Sequence, residues 1–132
     1  MKRSILLSAV FALATAGAGL AKTPTYDAAT FYKTTDYIIA SPDGAYSPDG
    51  GKLLITNNST GVFNAYALDL KTGEQEALTS SDTNAVFAVS YFPDGERFLY
   101  TFDEGGNELN HLYVGGAGEP TDLTPGEKVK AN

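Results

Sequence analysis

Between Ala85 and Phe92 the chain reads AVFAVSYF, between Arg97 and Phe102 RFLYTF, and between Glu108 and Val114 ELNHLYV. Apolar, aromatic and β-branched residues recur at about every second place, while Gly, Pro, Asp and Asn gather in the gaps. That alternation predicts half-buried β-strands separated by turns. A short fourth strand is expected at Pro120–Leu123. Earlier in the chain, YIIA at Tyr37–Ala40 and KLLITNN from Lys52 follow the same pattern.

The pattern repeats. Pro48-Asp49-Gly50 placed over Pro93-Asp94-Gly95 sets an offset of 45 residues. At that offset Leu54 falls on Leu99, Thr56 on Thr101, Gly61 on Gly106 and Leu78-Thr79 on Leu123-Thr124. Asn64-Ala65-Tyr66 meets His111-Leu112-Tyr113 after a two-residue slip. A period of this length, with about four short strands in each unit, is the sequence signature of β-propeller blades. The expected fold is therefore all-β: a partial β-propeller of about two four-stranded antiparallel blades. Residues 36–80 form the first blade and 81–124 the second. Residues 22–35 are a lead-in, and 125–132 begin a further blade or a linker.

Each PDG word reads as a turn. Pro presets φ, Asp tolerates the next position, and Gly takes the left-handed conformation that returns the chain for pairing. A cation-binding acidic loop would need more oxygen ligands than one Asp per turn. The word also occurs a third time, in the run SPDGAYSPDG at Ser41–Gly50. By the offset, this first copy lies where the second blade has its innermost strand. Pro42 and Gly44 suit a central strand poorly, so it is expected to shorten or displace that strand.

The first 21 residues stand apart. A basic start at Lys2 and Arg3, an apolar run from Ile5 and small residues at Gly19 and Ala21 form a signal-peptide pattern with cleavage before Lys22. The run is too short and too interrupted for a membrane anchor, and no cysteine follows to carry a lipid. The expected location is exported, periplasmic or secreted. Removing the leader leaves 111 residues and takes two positive charges with it, so the net charge moves from −7 to −9. With seven scattered Lys and Arg, the remainder has no footprint for nucleic acid or an anionic membrane. Without cysteine, stability has to come from packing.

Candidate chemistry is sparse. In the polar run FDEGGNELNH, residues Asp103, Glu104, Glu108 and His111 carry metal-ligand side chains, with Asp103, Glu108 and the sole histidine, His111, as the candidate set. The preferred reading is a polar hairpin at Glu104–Asn107, with His111 on a strand face alongside Leu109 and Tyr113 and directed at a neighbouring blade. None of the eight serines lies in the G-x-S-x-G setting of a hydrolase nucleophile, and no catalytic residue and no cofactor are assigned. Two overlapping N-x-[ST] acceptor patterns at Asn57–Thr60 fall in an expected turn.

The runs VFAVSYFPDGERFLYTFDEGGNELNHLYV and GVFNAYALDLKTGEQEALT resemble the N-terminal β-propeller of the prolyl oligopeptidase family of serine peptidases. The shorter SPDG, KLLIT and LT elements are shared with the wider TolB-like propeller repeats. The resemblance runs from about Phe31 to the end of the chain. It implies an exported peptidase whose propeller restricts the peptides reaching an α/β-hydrolase domain that this sequence does not contain. The chain is thus expected to be a fragment gating and positioning peptide substrate. Self-association to close a ring is the other way to cover exposed blade faces. The alternative function is a TolB-like binding module scaffolding other envelope proteins.

Overall fold

A computed structural model describes residues 23–131; the expected leader at 1–21 lies outside the described residues. The chain divides into two compact units, Met1–Tyr32 and Lys33–Asn132. In the described part of the first, a single helical turn, α1 (Ala28–Tyr32), is capped by Asp27, whose Oδ1 accepts the Thr30 N–H at 2.8 Å. No described helix is long and apolar enough to cross a membrane.

The second unit holds eight strands in two four-stranded antiparallel sheets. The first is β1 (Tyr37–Ile39), β2 (Lys52–Asn57), β3 (Asn64–Asp69) and β4 (Gln75–Ala77). The second is β5 (Val86–Tyr91), β6 (Phe98–Phe102), β7 (His111–Gly115) and β8 (Thr121–Asp122). Strand order follows chain order in both, so each sheet is a meander. The fold is all-β, with the arrangement of two consecutive propeller blades. Registers repeat as well: Ile55 faces Tyr66 and Tyr100 faces Tyr113, which places the 45-residue offset and its two-residue slip in the sheets themselves.

Composition explains which strands are central. β2 and β3 read KLLITN and NAYALD, and all but Lys52, Leu68 and Asp69 are buried. The edge strands β1 and β4 are exposed along their length. Leu54, Ala65, Val86, Phe98 and Tyr100 belong to one apolar core that spans both sheets, with Leu78 and Ala88 packed against it.

The duplicated turn explains how the sheets are joined. Ile39 faces Ile55 and Tyr46 faces Leu53, so seven steps of chain cover two steps of β2. In the second sheet, Ala88 and Tyr91 face Tyr100 and Phe98, and three steps suffice. The four extra residues correspond to Ser41–Gly44, the first SPDG, inserted where β5 carries only a one-residue bulge at Val89. The innermost strand is displaced as expected, but the first copy is not a hairpin turn, and pairing with β2 resumes after it at Tyr46.

The insertion reaches the free edge of β5. Ser41 N–H donates to Val89 O at 2.9 Å, and Tyr91 N–H donates to Gly44 O at 2.7 Å. Two more donors of that edge are met from the first sheet: Val86 N–H by Phe63 O at 2.9 Å and Ala88 N–H by Thr56 Oγ1 at 2.8 Å. An edge that would otherwise be open to another chain is closed by the preceding blade.

The glycines record the difference between the copies. Gly50 and Gly95 take φ of 71° and 75°, the left-handed conformation expected of a PDG turn. Gly44 is not among the positive-φ residues; it is needed because a Cβ there would collide with Ser90. Asp49 and Asp94 each accept backbone N–H groups of the turn that follows, Gly51 in the one case and Glu96 and Arg97 in the other.

Candidate binding cleft

The polar run 103–110 connects β6 to β7 as a hairpin. Asp103 Oδ2 accepts the Glu108 N–H at 3.0 Å, and Asn107 Oδ1 accepts the Leu109 N–H at 2.9 Å. Glu108 is held at φ 60°, the sole positive-φ residue other than glycine among the described residues. Pairing therefore begins at His111 and not at Glu108, where alternation alone places the strand start.

On the face of the second sheet carrying Phe102, His111 and Tyr113, aromatic rings form a ladder. Phe102 stacks on Tyr113 at 4.5 Å between centroids, Tyr100 on Tyr113 at 5.4 Å, and the His111 ring follows at 6.4 Å from Tyr113. β8 supplies the polar partner. Asp122 faces Tyr113 in register, and its Oδ2 lies 2.7 Å from His111 Nδ1. Its Oδ1 accepts the Thr124 N–H at 2.8 Å. The hydrogen bond from His111, reinforced by that from Thr124, holds the Asp122 carboxyl below the usual carboxylate range. Burial pushes the Tyr113 hydroxyl upward, with the charges of Asp122 and Glu104 adding to it.

These groups line a cleft of about 310 Å³ bounded by Phe102, Tyr113, His111, Asp122, Glu104 and Glu127. The Asp122 contact fixes the orientation of the imidazole. In the neutral ring that donates from Nδ1 to Asp122, Nε2 is an acceptor beside an aromatic wall. His111 makes no hydrogen bond to a serine or threonine hydroxyl among the described residues, so the pair lacks the nucleophile of a triad. The arrangement can accept a hydrogen bond and favour positive charge.

The candidate set Asp103, Glu108 and His111 is not brought together. Asp103 is turned to the hairpin backbone, His111 to Asp122, and no three His, Asp or Glu side chains among the described residues are grouped to hold a metal. The partner of His111 lies in its own sheet, on β8, and not in a neighbouring blade. Sequence reasoning passed over Asp122, although the signal was present: β7 and β8 alternate, and a partner on the His111 and Tyr113 face had to sit near the start of the TDLT stretch.

A scan against the sequence patterns of known protein families matches none.

Proposed function

We propose that residues 36–124 are two blades of an exported propeller that gates and positions peptide for a prolyl-oligopeptidase-like serine peptidase domain lying outside residues 1–132. The observation that carries this reading is the recurrence of one four-stranded meander at a 45-residue offset, with the second sheet docked through its first strand onto the first. The cleft at His111 and Asp122 supports it: acceptors beside stacked rings suit the donors of a peptide better than they suit an anion. The chemistry itself belongs to the peptidase domain.

The test is the native protein, detected with an antibody against the Asp103–His111 segment. The reading predicts a species several times heavier than 13.9 kDa that a serine-directed fluorophosphonate labels. An unlabelled species of the size of this chain contradicts it and leaves a scaffold module of the envelope as the function.

A further inference from the structure

A second recess lies between the two sheets and adjoins the His111 cleft at Phe102. It encloses about 520 Å³, within the range of small-molecule sites. The first sheet contributes Leu78 and the Thr79–Ser81 segment that follows β4, and the second contributes Phe98, Tyr100 and the glycine-rich turn into β8.

Two observations point to a ligand. The first is charge: all 13 lining residues are uncharged, on a chain whose net charge is −7. Such a lining offers an ion no counter-charge for the hydration it would lose. The second is Tyr100. Its side chain is only 6 % exposed, it lines the groove, and its hydroxyl takes no hydrogen bond among the described residues. The hydroxyl itself is open to solvent, Tyr91 Oη being the one fully buried side-chain N or O atom left without a partner among the described residues, so the Tyr100 O–H is available to a molecule in the groove. Burial pushes its pKa upward, so it stays protonated and is a donor across the neutral range.

The walls are stiff. A Cβ on Gly115 would press into the Phe98 ring, and one on Gly116 would collide with Glu96 O. The glycines therefore hold the β7–β8 turn against the β5–β6 turn and fix the shape of the opening.

We infer that this groove is a binding site for a neutral, apolar small molecule, aromatic or branched, carrying one hydrogen-bond acceptor that meets the Tyr100 hydroxyl. The rings of Phe98 and Phe102 and the side chains of Val86 and Leu78 supply the apolar contact. The inference is independent of the peptidase reading: the groove shares the Phe102 ring with the His111 cleft but uses neither His111 nor Asp122, and it needs no second domain.

Three congeners test it on the ¹⁵N-labelled protein: 4-phenyl-2-butanone, which is neutral with one acceptor, 3-phenylpropanoate, an anion, and 2-phenylethylammonium, a cation. The ketone is expected to shift the amide resonances of Ser81, Gly116 and Gly118, and the two ions to leave them in place. Tyr100→Phe should weaken the ketone roughly fivefold, the net worth of one neutral hydrogen bond. Ser80 is exposed at the rim. Ser80→Trp therefore spares the core, and by filling the opening should weaken the ketone roughly fivefold or more. This second variant keeps the test open if Tyr100→Phe does not fold. The inference is overturned if no congener shifts these amides, if either ion binds as well as the ketone, if folded Tyr100→Phe binds the ketone unchanged, or if Ser80→Trp binds it as the unaltered chain does.

Discussion

Gly44 and Gly50 close two copies of one four-residue word, and their backbones differ. Gly50 is left-handed, so Gly50→Ala forces a Cβ into a conformation that costs about 1–2 kcal/mol. At Gly44 the obstacle is Ser90 of the next sheet, and Gly44→Ala should cost roughly 1–3 kcal/mol by overpacking. Urea unfolding separates the two causes, because Ser90→Gly should recover much of the Gly44→Ala loss and none of the Gly50→Ala loss. Additive effects of Gly44→Ala and Ser90→Gly would contradict the contact. Asp122 makes a prediction in pH. Its folded-state pKa lies below the ordinary 3.8, so the unfolded chain takes up the proton first as pH falls. Its contribution is complete above about pH 5 and is lost as pH drops through the folded value. Asp122→Asn should therefore flatten the stability curve between about pH 5 and pH 3; an unchanged slope would show that the pair with His111 does not stabilise the fold.

Among elements, β5 has the most unusual position. It is the first strand of its sheet, yet the donors of its outer edge at Val86, Ala88 and Tyr91 are met from the preceding sheet. Thr56 is the clearest case, being 1 % exposed on β2 with its hydroxyl accepting from Ala88. Thr56→Val keeps the shape and strands that donor, at about 1–3 kcal/mol, whereas Thr56→Ser keeps the acceptor and should cost less. Equal losses in thermal unfolding would mean that the threonine acts through packing alone. The strands themselves were legible, because alternation and turn residues are local signals. β5, β6 and β8 fall inside the spans that the alternation predicts, and β7 misses its predicted start because Asp103 and Asn107 hold the backbone at Glu108 and Leu109. The role of the first SPDG was not legible beyond its displacement of a strand. Nothing in four residues tells of an edge some 45 residues further along the chain. The His111–Asp122 pair was hidden likewise, since it depends on the register between β7 and β8.

At the scale of the molecule, the two sheets share one core and are bonded to each other along β5, so the second unit is expected to unfold as one body. The repeat in the sequence announced two similar sheets; it did not announce that an insertion in the first would bind them together. The proposed peptide-positioning role draws on that architecture and on the cleft at His111. The most direct check of the architecture is amide hydrogen exchange on β5. If the sheets are docked as consecutive blades, the amides of Val86, Ala88 and Tyr91 exchange as slowly as those of central β2 and β3, despite lying on the outer edge of their own sheet. Rapid exchange at those three positions, with β2 and β3 still protected, would show two sheets that fold side by side without the joint, and would contradict the account.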